Sequence, residues 1–314
     1  MAAFMFTSGA PLLHAAHETD GEPGGRLAGV SSGEMSSVNC PANTVIPNGS
    51  LASVVGTSFS GSVYIQGLFV VDDDVSFWGA HVYMEAGAQL IVEPNIWLTI
   101  IGSTFIACDT AMWKGITVHD GATISISNTS VMEDAEHLVR ALDGATVVFM
   151  DSQFHNNRVS LYIPPAPGNT WNSVSVYAVN NMFYSQGPMC GPYPGQATTV
   201  GQVGFAAVEA HRTYLDLSNG YNLIHTMSNG IVAFNSNVKV EGCEIYIIQP
   251  DAAYALPANG SGIYANGMNG YYYLDQKGNG MAGPPNFRNC RWGIYTEYMN
   301  VDSRDNHMMS LFGG

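Results

Sequence analysis

The sequence predicts an all-β protein whose chain winds as a solenoid of stacked strands. The phrase GATISISNTSV at 121–131 returns as GATVVFMDSQF at 144–154, and each copy alternates apolar with polar residues. This alternation has the period of a strand with one buried face. The chain also has 35 glycines and only 11% charged residues, a composition typical of short strands joined by tight turns.

Further copies of the repeat place apolar residues at matching positions between residues 96 and 245. Aligned copies give three columns: Leu98, Ile124, Val147, Val176, Leu215 and Val238; Ile100, Ile126, Phe149, Ala178, Leu217 and Val240; Phe105, Val131, Phe154, Phe183, Asn222 and Ile245. A period of about 20–30 residues indicates that one repeat cannot bury its apolar face alone. We therefore expect successive repeats to stack about 4.8 Å apart, with like residues above like.

A second phrase recurs between these copies and predicts a second wall of strands. It reads GITV at 115–118, GIVA at 230–233, GIYA at 262–265 and GIYT at 293–296. GAHV at 79–82 and HLVRA at 137–141 are looser versions. A longer match aligns FHNNRVSLYI at 154–163 with FRNCRWGIYT at 287–296.

The chain from about Phe69 to Thr296 resembles the right-handed parallel β-helix proteins of the pectate-lyase-like superfamily. The motifs that carry the resemblance are the GIxV strands and the GATxxxxN/DS and FxNN corners. The corner spelling is most similar to exported bacterial β-helix repeat proteins. The resemblance implies a right-handed parallel β-helix of roughly nine or ten coils, with inserted loops in the C-terminal half. An antiparallel sandwich or a propeller is the rival, but propeller blades repeat at about 40 residues or more.

The ends of the chain differ from the repeats. Residues 1–33 are expected to be a disordered leader or a clipped export signal, although they lack the usual basic start. Residues 34–66 are expected to cap the solenoid, and residues 67–314 to form it. We expect the short segment after Thr296 to fold across the open end, or the chain to self-associate or continue there.

Composition narrows the function classes. With 25 acidic and 10 basic residues, the formal net charge is −15, which repels nucleic acid and anionic membranes. No apolar run reaches the roughly 18 residues of a transmembrane helix. The five cysteines cannot all pair, so small buried residues are expected, while one disulfide stays open for an exported protein.

Inserted loops are candidates for a binding face, because repeat proteins accept insertions at their turns. Four insertions occur, at 163–171, 185–199, 249–261 and 266–285. The tyrosines that could stack on sugar rings are Tyr271, Tyr272, Tyr273, Tyr184 and Tyr193. The alternative is that these are ordinary half-buried strand residues.

Asp120 and Asp143 are catalytic candidates, because each precedes the glycine of a repeat and stacking would bring them together. Two carboxyls about 5 Å apart can share a proton or hold calcium, and glycosidases use such pairs. His119, which is adjacent to Asp120, and His211, which aligns roughly with Asp143, are the other two catalytic candidates. The alternative is ordinary Asp-Gly turn chemistry.

Asp72, Asp73 and Asp74 form the densest acidic run and are a weak calcium candidate. A turn could converge their carboxylates, whereas a strand would point them to opposite faces. No other cofactor is expected. Arg158 and Arg291 share a position in the long match and either serve a lyase or brace a corner. The corner asparagines are expected to form short amide ladders: Asn128, Asn156, Asn157, Asn180 and Asn289.

The leading functional hypothesis is an exported, cell-surface, non-catalytic module that presents loops to a glycan or protein partner. The alternative is a carbohydrate-active enzyme, a polysaccharide lyase or glycoside hydrolase, acting along one face. A weaker third idea is an ice-binding solenoid, which requires flat ranks of outward threonines.

Overall fold

The structure is a computed structural model that describes residues 40–254, 256–257, 259–268, 272–278, 286–306 and 308–309. The expected leader at 1–33 lies outside the described residues. In the described part the helical segments are α1 (Ala52–Val55) and a 3-10 turn at Pro167–Asn169. None of its helices is long and apolar enough to cross a membrane.

The remaining elements are strands, most of them three to six residues long. They are β1 (Thr44–Ile46), β2 (Ser50–Leu51), β3 (Ser58–Ile65), β4 (Leu68–Val71), β5 (Val75–Met84), β6 (Gln89–Val92), β7 (Trp97–Ile101), β8 (Thr104–Ala107), β9 (Trp113–Val118), β10 (Thr123–Ser127), β11 (Val131–Glu133), β12 (Ala135–Ala141), β13 (Thr146–Met150), β14 (Gln153–His155), β15 (Val159–Ile163), β16 (Ser175–Val179), β17 (Asn181–Tyr184), β18 (Ala206–His211), β19 (Tyr214–Leu217), β20 (Asn222–Met227), β21 (Asn229–Phe234), β22 (Asn237–Glu241), β23 (Glu244–Ile248), β24 (Ser261–Asn266), β25 (Tyr273–Lys277), β26 (Phe287–Cys290), β27 (Trp292–Glu297), β28 (Asn300–Arg304) and β29 (Met308–Met309).

These strands form three parallel sheets. The first sheet has 15 strands and branches at β5, which pairs with β7 along one half of its length and with β8 along the other. We call β7, β10, β13 and β16 the β7 branch, and the strands that continue from β8 through β29 the β8 branch. The second sheet has ten strands, from β2 to β27, and the third contains β19, β22, β25 and β28.

Each strand pairs with a strand about one repeat away, and this register confirms the first two predicted columns within the sheets. Ile124 pairs with Leu98 on one side and with Val147 on the other. Leu215 pairs with Val238 in the third sheet. Buried apolar residues from all three sheets meet in one continuous core. The all-β architecture is confirmed, and it is consistent with a parallel β-helix.

The third predicted column is wrong at two positions. Phe105 and Phe154 pair with Met132 rather than Val131, and Phe183 pairs with Ile224 rather than Asn222. The turn between β10 and β11 is one residue longer than the turn between β7 and β8. In the longer turn Asn128 and Thr129 both adopt a positive φ (60° and 61°). With Met132 in place of Val131 and Ile224 in place of Asn222, the column has no polar break.

The GIxV strands lie side by side in the second sheet, as predicted: Ile231 pairs with Ile263, and Ile263 with Ile294. Their glycines allow neighbouring backbones to approach. A Cβ at Gly115 would lie only 1.7 Å from the carbonyl oxygen of His137. HLVRA also belongs here, in β12.

The prediction that GAHV (79–82) belongs to this second sheet is wrong. GAHV lies in β5, in the first sheet, where His81 pairs with Thr104 of β8. GAHV resembles the GIxV motif in sequence but not in location. It belongs to β5, which is ten residues long and crosses from one branch of the first sheet to the other.

The inserted loops flank the second sheet. The loops at 185–199 and 249–261 precede its strands β18 and β24, and the loop at 163–171 follows β15. A second apolar cluster lies under the first two loops, on the outer face of the sheet. It contains Val159, Phe205, Ala206, Val232, Tyr254 and Tyr264. The loops therefore cover the outer side of the strand starts.

Both ends of the described chain continue the strand pairing. In the expected cap, β1 pairs with β3 and β2 with β4. At the other end, residues 300–304 do not fold across the sheets: β28 adds a strand to the third sheet beside β25. Cys40 and Cys108 form a disulfide, whereas Cys243 and Cys290 are buried free thiols, as the small-residue interpretation expects.

Candidate functional site

Three of the four catalytic candidates line one pocket. Asp120, Asp143 and His119 face a space of about 390 Å³, together with Pro164–Pro167 and Asn172. Asp120 and Asp143 lie in the turns before β10 and β13, which are paired neighbours in the β7 branch. The stacking expected from the repeat therefore brings the two carboxyls to one corner.

The carboxyls of this corner also perform turn chemistry. Asp143 Oδ1 accepts the backbone N–H of Ser173 in the following repeat at 2.7 Å. The Asp120 carboxyl lies so close over Gly144 that a Cβ there would be 1.8 Å from its Oδ1. Asn48 has the same role for the N–H of Leu68, at 2.7 Å. The corner residues thus support the next turn, and Asp120 and Asp143 are both exposed.

His211 is not part of the pocket lining. Its Nε2 lies 3.0 Å from Glu209 Oε1, and its ring stacks on Phe234 with 4.8 Å between centroids. Only its backbone approaches the pocket, where the carbonyl accepts Asn172 Nδ2 at 2.8 Å. The register of β18 turns the ring to the outer face of the second sheet.

Around His211 the outer face carries titratable groups that are not among the predicted site residues. Tyr162 stacks on His137 at 4.4 Å and meets the His211 ring edge-on at 6.0 Å. Burial, then the charge of Arg158, lowers the pKa of His137 to about 4, so its imidazole is neutral near pH 7. Burial raises the pKa of Tyr162, with Glu209 adding to the shift. Their signal in the sequence is the alternate outward positions of β12, β15 and β18.

Tyr184 lies in a ladder of rings along the β8 branch. It stacks between His155 and His225, each at 5.0 Å, and the ladder continues through Tyr246 to the Arg288 guanidinium. Burial lowers the pKa of His225 to about 4. Both faces of Tyr184 are covered, so only the ring edge is available to a ligand.

Tyr193 anchors its loop. Its hydroxyl donates to Glu136 Oε2 at 2.5 Å, Thr198 Oγ1 donates to the same carboxyl, and Lys114 Nζ lies 5.7 Å from the ring centroid. Burial and this hydrogen bond raise the pKa of Tyr193.

The three consecutive tyrosines have different surroundings. Tyr272 stacks against Trp171 at 6.1 Å, which joins two inserted loops. Tyr273 is exposed on the third sheet, and Tyr271 lies outside the described residues. The structure therefore does not gather the five tyrosines into one surface among the described residues.

The carboxylates of the acidic run at 72–74 accept hydrogen bonds from different parts of the backbone. Asp72 accepts the Ser53 N–H at 2.9 Å and its hydroxyl at 2.5 Å, and these hydrogen bonds lower the pKa of Asp72. Asp74 accepts the Trp97 N–H at 2.9 Å. The described residues contain no group of three or more His, Cys, Asp or Glu side chains placed to hold a metal ion.

Arg158 braces a corner. Its Nε donates to the Thr199 carbonyl at 3.0 Å, and its guanidinium lies 5.4 Å from the Phe205 ring. Arg291 lies over the Trp292 ring at 6.0 Å. The bracing interpretation of Arg158 is confirmed, because it holds the 185–199 loop through a backbone carbonyl.

The outer face of the β7 branch is uncharged. Its outward residues are Trp97, Thr99, Ile101, Thr123, Ser125, Ser127, Thr146, Val148, Met150, Ser175, Tyr177 and Val179. Trp97 and Tyr177 are 57% and 43% exposed, and Trp78 of the adjoining β5 is 55% exposed. These aromatic residues are not among the predicted binding residues, although each occupies an outward position in a period-2 strand.

The third sheet continues in the same direction but is charged. Its outward residues include Asp216, Lys239, Glu241, Asp275, Lys277, Asp302 and Arg304. Several of these pair across strands, such as Lys277 with Glu241 at 2.8 Å. The change from an uncharged to a charged outer face occurs between β16 and β19.

Comparison of the chain with family models, with curated proteins and with solved structures finds no match.

Proposed function

We propose that the chain is an exported, cell-surface module that binds a glycan without cleaving it. Its fold would be a right-handed parallel β-helix of the pectate-lyase-like kind, with roughly nine or ten coils. Three parallel sheets with strands paired one repeat apart support this fold.

The observation that carries the binding function is the exposure of aromatic rings on rigid strands. Trp78, Trp97 and Tyr177 expose 55%, 57% and 43% of their surface on a sheet rather than on loops. An aromatic ring offers a flat apolar face to the C–H face of a sugar, at little cost in conformational entropy when its backbone is already fixed. A protein partner would dock on the same kind of surface, and the glycan is favoured by the hydroxyl-bearing residues between the rings.

The experiment is a panel of soluble polysaccharides, neutral and acidic, tested for binding and for release of reducing ends or unsaturated products, with and without calcium. We expect retention of at least one polysaccharide with no product. A panel in which nothing is retained, or in which product accumulates, contradicts the proposal.

The second candidate is a carbohydrate-active enzyme, favoured by the pocket that contains Asp120, Asp143 and His119. In that case Asp120→Asn and Asp143→Asn would abolish product release and leave binding intact. Glu209→Gln is the matched control. Glu209 lies beside His211 on the outer face of the second sheet, and neither residue lines the pocket, so this variant should retain product release.

A further inference from the structure

The outer face of the β7 branch has its hydroxyl groups in ranks. Thr123 pairs with Thr146 on the next strand, and Ser125 lies between Thr99 and Val148. Neighbouring strands are about 4.8 Å apart, so the branch presents a field roughly 14 Å wide across its four strands. The register therefore brings Thr99, Thr123 and Thr146, which are far apart in the sequence, onto one face.

These hydroxyls have no protein partner in the described part of the chain. The side chains of Thr99, Thr123, Ser125 and Thr146 are half-buried, and their hydroxyls make no hydrogen bond to another described group. Hydroxyls elsewhere are used internally: Ser130 Oγ, for example, donates to the Ser127 carbonyl at 2.6 Å. The field is therefore free to exchange hydrogen bonds with a ligand.

The exposed rings surround this field. Trp97 pairs with Thr123 at the start of the strands, and Trp78 pairs with Ile101 at their end. Tyr177 stands on the last strand of the branch, beside Val148. The rings and the hydroxyls together supply the two kinds of contact that a pyranose ring needs, one for its C–H face and one for its hydroxyls.

Charge selects the class of ligand. The chain has a formal net charge of −15, yet the field carries no ionisable side chain apart from the Tyr177 phenol, whereas the continuing third sheet carries acidic and basic residues. A carboxylated or sulfated chain would meet a repulsive potential and find no cation in the field to neutralise it. A neutral ligand avoids this penalty.

We propose that the outer face of the β7 branch is a binding site for a neutral polysaccharide. This inference rests on the proposed glycan-binding function and gives it a location and a substrate class. The sugar rings stack on Trp78, Trp97 and Tyr177, and their hydroxyls exchange hydrogen bonds with the threonine and serine ranks.

The test measures the affinity of the purified chain for a neutral β-glucan, a neutral mannan and polygalacturonate. Trp97→Ala removes an exposed ring, and Ser125→Glu places a carboxylate in the centre of the field. Tyr214→Ala is the matched control, because Tyr214 is 39% exposed on the charged third sheet. Thermal melts of all variants check the fold.

We expect a neutral polysaccharide to bind, with a loss of about tenfold or more in Trp97→Ala and in Ser125→Glu and no loss in Tyr214→Ala. The binding should change little with ionic strength, because no charge pair contributes.

Preferential binding of polygalacturonate, or binding that both variants leave unchanged, overturns this location and substrate class while glycan binding itself stands. Failure of the wild-type chain to bind any member of the panel overturns the proposed function as well. Thermal hysteresis of ice growth that Ser125→Glu removes, without glycan binding, assigns the same face to ice and overturns the inference.

Discussion

Asn181 donates from Nδ2 to Oδ1 of Asn222 across 3.0 Å, inside the corner that joins β16 to β17. Both side chains are 2% exposed. Asn181 also reaches the carbonyl of Phe149 at 3.0 Å and accepts the N–H of Ser152 at 3.2 Å. The buried amide thus satisfies backbone groups of the preceding repeat and one side chain of the next.

Replacing Asn181 by Leu should destabilise the protein by about 2–4 kcal/mol, because several buried polar groups lose their partner together. Urea denaturation checks the value. Asn180→Gly is the control: Asn180 is exposed with a φ of 56°, which glycine adopts without strain, so we expect a change under about 1 kcal/mol. Equal losses of unfolding free energy in the two variants would show that the buried amide of Asn181 contributes no more to stability than the exposed Asn180 does.

The Cys40–Cys108 disulfide closes a loop across 68 residues and ties the first described residue to the segment after β8. In the chain-entropy model, a loop of this size stabilises the folded state by about 4 kcal/mol. Cys40→Ser/Cys108→Ser should therefore unfold at a distinctly lower temperature than the wild type.

The control is a reductant. It should lower the melting temperature of the wild type to that of the double variant and leave the double variant unchanged. A reductant effect that persists in the double variant would place the redox sensitivity at another cysteine.

The sequence predicted the columns because buried strand positions repeat their residue type. The pairing of Ile124 with Leu98 and Val147 follows from period-2 alternation and a common turn phrase. The third column failed where a turn changed length, since two consecutive left-handed residues, Asn128 and Thr129, can be recognised only from the backbone. Register errors of this kind are expected wherever turn length varies.

The candidate site was predicted unevenly for the same reason. Asp120 and Asp143 meet because both belong to the repeat. Trp78, Trp97 and Tyr177 were missed, because the uncharged face depends on which outward residues of different repeats become neighbours. Of the five corner asparagines predicted to form amide ladders, Asn157 is buried and bonds backbone groups of the preceding repeat. The bond between two side-chain amides joins Asn181 and Asn222 instead, neither of which is among those five.

Asp134 is buried, and burial, with the neighbouring Glu133 charge, raises the pKa of Asp134 to about 6. The unfolded carboxyl titrates near its ordinary value, so folding takes up a proton between about pH 4 and pH 6. The contribution of Asp134 to stability is therefore present at low pH and is lost as pH rises through about 6.

Asp134→Asn removes this linkage. Relative to the wild type, the variant should become more stable by about 2 kcal/mol on going from about pH 4 to about pH 7, which urea denaturation at both pH values checks. A difference of the opposite sign would mean that the Asp134 carboxylate is stabilised rather than penalised in the fold.

Gly115 tests the close approach of strands in the second sheet. It has a φ of 111°, and a Cβ would lie 1.7 Å from the backbone oxygen of His137, which a rotamer change cannot relieve. Gly115→Ala should therefore cost about 3 kcal/mol or more, the sum of backbone strain and a displaced strand. Gly56→Ala is the matched control, because Gly56 has a similar φ, 122°, but open space around its Cβ direction.

We expect about 1–3 kcal/mol for Gly56→Ala, from the backbone strain alone. Because both variants place a side chain at a similar positive φ, the difference between their urea midpoints measures the contact with the neighbouring strand. Equal midpoints would mean that β9 and β12 can separate at no cost.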